Sequence, residues 1–475
     1  MLKRLSQSAT VNTWISLAIR MGGLVLLLPL VLTHFGVHEV LVWQLQSSIV
    51  AMLAWIDFGL TPTFSRFIAA SRGGGKLADL LRTKRVTVAS GPDEQPLDLG
   101  AVIGTLRRVN AAMALFGTVL VMAIGTAAIA GAITGLTHPR TGWMAWALTV
   151  LSVPFALING SNTAVLIGSD RITALRRIES LVGLLQVLST SLVVVLTSNL
   201  AMVAASYTFW GIVGFGLNRW QASRILTENG VQTEVFDPRI FRAAWAAGWR
   251  SGIGILFSTG LIQGSGMIMP QLAPPGVAAS YLILLRIMSI GSQLSQAPFY
   301  SRLPAMAKAN AEGQRAEVVA QAKLGMRLAL WTMLAGIVAL VSVAPVALTL
   351  IGSSVRIPDA GLSTLLGVAF FAERYGAMHM QLYTLSNHVI WHKVNGLTGL
   401  VGIAAFVLLW PFVGPMAVPL GMLVGYVGFL CPYMSHKSLQ YFGLHRWHFE
   451  RATSLLPALG LLACGTVVLV MRGLG

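Results

Sequence analysis

The stretch IDFGLTPTFSRF, residues 56–67, follows directly on the apolar run SSIVAMLAW at 47–55. It places Asp57 and Arg66 at the end of a segment long enough to cross a bilayer, with Pro62 between them. A charged side chain at the centre of a spanning helix costs about 2.5–3.5 kcal/mol, so an acidic residue here requires a partner or a function. The stretch therefore predicts a membrane helix with a polar end, whose charged residues either form a structural ion pair or line a functional cavity.

The composition of the whole chain is that of a polytopic membrane protein. Of its 475 residues, 55% are apolar and only 10% are charged, and the mean hydropathy is +0.73. Continuous apolar runs of about 18 residues or more recur along the chain, which favours helices over the alternating strands of a barrel. We predict an all-α fold of about 13 transmembrane helices, within a range of about 12–14, near residues 12–34, 40–64, 109–135, 143–167, 179–197, 200–218, 244–269, 278–300, 327–350, 361–384, 396–413, 415–435 and 453–471.

The net charge of +17 is distributed in a way that predicts topology rather than nucleic-acid binding. With the N-terminus inside, 27 of the 33 Lys and Arg fall in inner segments, and only Arg140, Arg356 and Arg472 fall outside. This split is a strong positive-inside signal for a cytoplasmic N-terminus, and the basic loops would contact anionic lipid headgroups. No soluble basic module is present to bind nucleic acid. The two cysteines, Cys431 and Cys464, lie in apolar segments, so we expect neither a disulfide framework nor a metal site.

The opening stretch has a second copy. TPTFSRF at 61–67 aligns without gaps to APFYSRL at 297–303, and both are predicted to end the second helix of a six-helix set. The pattern predicts a parallel repeat, with an N-terminal bundle at 1–225, a C-terminal bundle at 226–440 and an extra helix at 441–475. We expect Pro62 and Pro298 to be gating or hinge positions and Arg66 and Arg302 to be anchors at the inner interface.

Several charged residues fall inside the predicted membrane helices. Asp57 and Arg20 have similar depths on consecutive helices, so they are expected to pair, either as a structural lock or as a polar cavity wall. Glu373 and Arg374 are adjacent and should point in different directions, leaving Glu373 to pair with Arg286 or to accept a proton. His379 is expected to be a packing residue or a proton relay. The interior leans basic, which favours an anionic substrate, and the candidate cationic residues are Arg20, Arg250, Arg286 and Arg374.

The segments VNTWISLAIRMGGLVLLLPLVLTHFG, residues 11–36, and WIDFGLTPTFSRFIAAS, residues 55–71, resemble bacterial polysaccharide-repeat (O-antigen, Wzx-type) flippases. These belong to a larger group with the MATE drug transporters and the lipid II flippases. The resemblance implies two six-helix bundles around a central cationic cavity and alternating access in a bacterial inner membrane. It also implies transport of an undecaprenyl-pyrophosphate-linked oligosaccharide from the inner to the outer leaflet, without a cofactor, and contact with polysaccharide polymerase or assembly proteins.

Two other functions were weighed against a flippase. A MATE-like antiporter for cationic drugs would share the fold, but it would require surplus carboxylates inside, and here the surplus is basic. A membrane glycosyl polymerase or ligase would present its chemistry on a sizeable outer loop, whereas every predicted outer loop is short. A transporter rather than an enzyme is therefore the prediction.

Overall fold

A computed structural model describes residues 9–74, 97–231, 235–356, 360–386, 388 and 390–473. The described chain is 89% helical and contains no strand. The α-helices in chain order are α1 Ala9–His34, α2 Val37–Ala51, α3 Leu53–Ile56, α4 Leu60–Arg72, α5 Leu99–Leu120, α6 Thr126–Thr134, α7 Pro139–Gly168, α8 Ile172–Thr197, α9 Leu200–Glu228, α10 Pro238–Leu272, α11 Pro275–Tyr300, α12 Leu303–Ala311, α13 Arg315–Val338, α14 Ala344–Leu350, α15 Ala360–Thr384, α16 Trp391–Val413, α17 Ala417–Gly425, α18 Cys431–Phe442, α19 Arg446–Thr453 and α20 Leu455–Gly473.

The predicted membrane segments fall mainly in helical parts of the chain, and the segment 40–64 is broken at residues 57–59. By length and composition, eight helical runs of the described chain could each cross a bilayer, and a shorter apolar helix occupies Leu455–Thr466. The prediction of an all-α polytopic membrane fold is confirmed. The number of crossings stays a prediction. One of the eight runs, Trp391–Phe442, is 52 residues long and covers two predicted segments, and the predicted segments 12–34, 40–64 and 361–384 match none of the eight.

The chain divides into two compact units, the first ending at Ile253 and the second beginning at Gly254, within α10. The first unit has a core of apolar side chains from α4, α5, α7, α9 and α10. Close backbone approach helps to build it: a Cβ on Gly168 of α7 would lie 2.6 Å from the carbonyl oxygen of Ser65 on α4. Helix ends in this unit are capped, since Asp98 accepts hydrogen bonds from the amides at the start of α5 and Asn199 does so for α9.

The second unit has its own core, formed by α11, α12, α13, α15, α18 and α19. Phe449 of α19 is buried in it, so the segment after residue 441 packs within this unit. The helices α16 and α17 meet at glycines: a Cβ on Gly421 would lie 2.6 Å from the carbonyl oxygen of Gly402. Small residues at helix interfaces allow this close packing, which is common in membranes.

Each unit contains one 36-residue helical run interrupted in the same way. Leu99–Thr134 in the first unit and Arg315–Leu350 in the second are equally long. The π-helical segments Val121–Gly125 and Ala339–Val343 interrupt them after 22 and 24 α-helical residues. A third π segment, Tyr426–Leu430, joins α17 to α18. The matched runs are a second likeness between the halves, independent of the TPTFSRF and APFYSRL copies.

The two sequence copies differ in their structural positions. TPTFSRF begins at the second residue of α4, whereas APFYSRL spans the end of α11 and the turn before α12. The prediction that both copies end a helix was therefore wrong for the first copy. The predicted continuous helix at 40–64 is instead broken before this copy begins, and its three pieces are α2, α3 and α4.

Candidate functional site

The break before α4 has an unusual backbone. Phe58 and Gly59 both adopt positive φ angles, of 47° and 70°. This conformation is normal for glycine but strained for a bulky aromatic residue, so surrounding contacts must hold Phe58 in place. The contact comes from α10, because a Cβ on Gly252 would lie 2.5 Å from Cδ1 and 2.7 Å from Cα of Phe58. Only glycine at 252 lets α10 approach the break this closely.

Asp57 uses the break to cap the next helix. Its Oδ1 accepts a 2.6 Å hydrogen bond from Thr61 Oγ1 and a 3.3 Å bond from the Thr61 amide. A carboxylate that accepts from the first turn of a helix satisfies an orphan amide and complements the helix dipole. The side chain of Arg20, the predicted partner of Asp57, lies outside the described part of the structure, so that pairing stays a prediction. The Arg250 side chain lies outside it as well.

A small polar space adjoins Asp57 on α7. Gly160 leaves room there: Thr61 Oγ1, Asn110 Nδ2 and Asp57 Oδ1 lie 3.0, 3.3 and 3.8 Å from the point where a Cβ would stand. Asn110 is only 3% exposed, and its Nδ2 has no hydrogen-bond partner among the described residues. A carboxylate, a hydroxyl and a free amide around one point can bind a water, a hydrated cation or a hydroxyl group. Among the described residues, no three His, Cys, Asp or Glu side chains could together hold a metal ion.

In the second unit, Arg374 joins α15 to α11. The residue is only 4% exposed, and its guanidinium donates from Nη2 to Ser292 Oγ and from Nη1 to Gln296 Oε1 at 3.4 Å. One turn further along α11, Tyr300 Oη accepts a 2.8 Å hydrogen bond from Gln381 Nε2. Ser292, Gln296 and Tyr300 recur at a spacing of four, so they share one face of α11. Sequence reasoning found Arg374 but missed this face, although its four-residue spacing was visible. Together with Arg374 and Gln381 of α15, these three residues of α11 form what we call the α11–α15 polar face.

The prediction that Glu373 and Arg374 point in different directions is wrong. Glu373 Oε2 lies 3.3 Å from Nη2 of Arg374, so the two adjacent residues form an ion pair. The long Arg374 side chain can turn back toward the half-buried Glu373, and it does so because an unpaired buried charge is costly. The Arg374 Nε remains without a hydrogen-bond partner among the described residues. Arg286, also predicted for the cationic site, is half-buried on α11.

His379 lies in a second cluster that sequence reasoning assigned only in part. The ring is fully buried, with Nδ1 2.7 Å from Ser438 Oγ and Nε2 3.4 Å from Glu450 Oε1. Tyr375, one turn earlier, donates to the same carboxylate at 2.5 Å, and Ser454 donates to its other oxygen. Glu450 was missed, because it lies 71 residues after His379 in a basic inner segment. Its carboxylate joins α19 to α15.

The pKa of Glu450 reflects these partners. Burial raises the pKa of this carboxyl, but the nearby His379 ring and the hydrogen bonds from Ser454 and Tyr375 outweigh burial. The pKa of Glu450 is therefore lower than its ordinary value, and the carboxylate form is stabilised in the folded protein.

The two predicted anchors and the two predicted hinges occupy unlike positions. Arg66 is exposed on α4, whereas Arg302 donates from Nη1 to the Pro298 carbonyl and so satisfies a free group at the end of α11. Pro62 lies in the first turn of α4, where its missing amide costs nothing, and the bend falls at residues 57–59 before it. Pro298 lies inside the last turn of α11. Their roles as anchors and hinges stay predictions.

Comparison with solved structures defines the class of fold. The chain is similar to an inward-facing multidrug-resistance MATE-family transporter of the MOP superfamily, at 12% identity and a TM-score of 0.66, with 94% of this chain and 99% of that one covered. It is also similar to the lipid II flippase MurJ in an inward closed conformation, at 11% identity and a TM-score of 0.58, with 98% and 99% covered. A MOP-superfamily transporter from Pyrococcus furiosus, described as having a binding pocket of reverse polarity, gives 12% identity and a TM-score of 0.54, with 94% and 98% covered.

No protein-family model and no curated protein matches the chain. At identities of 11–12%, the structural likenesses show the fold alone. The chain has the all-helical fold shared by MATE transporters and the MurJ flippase, as the sequence resemblance to that larger group implies. The narrower resemblance to O-antigen flippases has no matching family model or curated relative.

Proposed function

We propose that the protein is a transporter that moves an undecaprenyl-pyrophosphate-linked oligosaccharide from the inner to the outer leaflet by alternating access. The observation that carries the proposal is the Arg374 guanidinium, buried within a membrane-length helix with an Nε–H that has no described partner. A desolvated donor of this kind suits a phosphate oxygen, which accepts strong charge-assisted hydrogen bonds from arginine. The likeness of fold to a lipid II flippase, over 98% of the chain, supports the same class of substrate.

The electrostatics of the second unit disfavour a cationic drug as the substrate. A cation would need a free carboxylate, and Glu373 already pairs with Arg374. Removing Arg374 would leave the half-buried Glu373 without this partner, so the same substitution that weakens anion binding would favour cations. This reversal gives the proposal a sharp test.

The test replaces Arg374 in cells that lack their own copy of the gene. We expect Arg374→Ala and Arg286→Ala to abolish surface polysaccharide while the protein remains in the membrane. Arg374→Lys should retain only part of the export, because a lysine keeps the charge but lacks the planar, bidentate fork of the guanidinium. Arg356→Ala, an exposed arginine on a predicted outer loop, is the matched control. Normal export by both alanine variants would exclude the cationic-site mechanism.

The proposal includes a location and partners. We place the protein in a bacterial inner membrane with a cytoplasmic N-terminus, where the substrate is made and where a polysaccharide polymerase or assembly protein would receive it. The distribution of basic residues supports this orientation. Reporter fusions after residues 98–103 and after residues 136–141 should report opposite sides of the membrane.

A further inference from the structure

The first unit contains a groove with a volume of about 610 Å³ between α3, the break, α5 and the start of α10. Its walls are mainly apolar, and five of its eleven lining residues are aromatic. Phe58 and Phe241 each lie near Trp245, with ring centroids 5.8 and 6.3 Å apart, and Phe236 lies 6.3 Å from Phe241. We call this cavity the aromatic groove.

The groove has one charged residue. Arg108 of α5 is exposed, and among the described residues it has no hydrogen-bond or ion-pair partner. Every other lining residue is Ile, Phe, Leu, Val, Ala, Met or Trp. A ligand that fits this arrangement is an amphiphile with a long apolar part and an anionic head, because an arginine repels cations and binds phosphate with two donors.

The position of Arg108 along α5 fits such a ligand. The helical run Leu99–Thr134 has 36 residues and is about 54 Å long, so about 12 Å of it projects from each side of a hydrocarbon core of about 30 Å when it is centred. Arg108 is nine residues after Leu99, or about 14 Å along the axis, which puts it at the headgroup boundary. Phe116, a further 12 Å or so along, lies in the hydrocarbon and is exposed there.

We propose that the aromatic groove binds the polyprenyl chain of a lipid-linked substrate, with Arg108 contacting its phosphate at the predicted inner headgroup level. The inference rests on the proposed function for the identity of the lipid, and it adds a loading site in the first unit, apart from Arg374. The broken helix takes part directly, because the strained Phe58 forms one wall of the groove. Gly252 is required for that wall, since a larger residue would displace Phe58.

The test is photolabelling of the full chain in nanodiscs of phosphatidylethanolamine and phosphatidylglycerol. The probe is an undecaprenyl phosphate with a diazirine in its prenyl chain, and labelled peptides are mapped by mass spectrometry. We expect labels on 109–116 and 236–245 that are displaced by undecaprenyl phosphate but not by added phosphatidylglycerol. Arg108→Ala should lower this labelling about tenfold, while Arg219→Ala, an exposed arginine of the same unit, should leave it unchanged.

A second pair of variants tests whether binding requires the free volume of the groove, rather than the charge of Arg108. Ala112 lines the groove and Ala111 does not, although both are exposed on α5. Ala112→Trp should abolish labelling of the groove, and Ala111→Trp should not. Equal displacement by phosphatidylglycerol would mean that the groove holds ordinary bilayer lipid, and labels elsewhere or indifference to both groove variants would also overturn the inference.

The outcomes separate this inference from the proposed function. If a fluorescent lipid-linked oligosaccharide crosses proteoliposomes but the groove is not labelled, the groove assignment fails and the transport proposal stands. If the groove is labelled as expected but no oligosaccharide crosses, the lipid site stands and the proposed transport fails.

Discussion

Asp57 Oδ1 accepts a 2.6 Å hydrogen bond from Thr61 Oγ1, across the point where the second membrane segment breaks. The carboxylate therefore caps the N-terminus of α4, separately from any role of its charge in transport. The bond and the charge can be separated, because an asparagine keeps the accepting oxygen and loses the charge.

We expect Asp57→Asn to unfold in detergent at nearly the wild-type temperature and to export polysaccharide. Asp57→Ala should lose about 1 kcal/mol of stability, because the α4 cap is removed. Thermal unfolding of the purified variants, with export measured in parallel, checks both statements. A folded Asp57→Asn protein that exports nothing would show instead that the negative charge itself is required.

Gly252 should tolerate no side chain. Gly252→Ala places a Cβ 2.7 Å from the Cα of Phe58, a backbone atom that cannot turn away, so we expect a loss of about 1–3 kcal/mol. Gly264→Ala on the same helix meets nothing within 4 Å and should be neutral or stabilising. The thermal unfolding temperatures of the two variants give the comparison. Equal stability of both would mean that α10 does not hold Phe58 in place.

Glu450 should make stability depend on acid pH. Because its pKa is lower in the folded state, its contribution is fully present above the ordinary Glu value of about 4.3 and is lost as the pH falls through the lower folded value. The unfolding temperature of Glu450→Gln should therefore fall less steeply than that of the wild type below pH 4 or so. Glu312→Gln removes an exposed carboxylate that pairs with Lys308 at 3.8 Å, and its profile should follow the wild type.

Other charged groups surround Glu450, and the interpretation depends on them. His379 and Tyr375 contact the carboxylate, Arg446 and Arg451 lie on its own helix, and Lys323 lies 6.0 Å from the neighbouring Phe449 ring. Parallel profiles for Glu450→Gln and the wild type would assign the acid transition to one of these groups or to other carboxylates.

The matched arginines of the sequence repeat should differ in their effect on stability. Arg302→Ala removes a charged donor from the Pro298 carbonyl and should cost about 1–2 kcal/mol, whereas Arg66→Ala removes an exposed side chain and should cost little. Chemical or thermal unfolding of both variants measures the difference. Equal losses would contradict the assignment of Arg302 as the cap of α11.

Much of the fold could be predicted from the sequence because a membrane chain must satisfy its backbone within each segment. Long apolar runs then become helical, and the predicted segments fall mainly in helical parts of the chain. The break at residues 57–59 could not be predicted, because Phe58 takes a positive φ only through its contact with Gly252, almost two hundred residues later.

The candidate sites show the same limit. Arg374 was found because a charge in an apolar run is visible, but its hydrogen bonds to α11 depend on which helices pack together. Glu450 was missed because an acid in a basic inner segment is ordinary in sequence, and only the fold brings it to His379. In the sequence Arg108 is one of many basic residues of an inner segment, and only the fold places it beside the groove.

The π segment Val121–Gly125 has a consequence for how the chain tolerates change in length. A π-helical turn holds about one residue more than the α-helical turn that it replaces, so deleting one residue here would restore a continuous α-helix and keep the register of the flanking segments. Deleting a residue from the α-helical part would instead rotate everything after it by about 100°. Ile129 and Ile133, both fully buried, would then leave the core. The π segment and its match, Ala339–Val343, are therefore the places in the two runs where the loss of a residue disturbs the rotational register least.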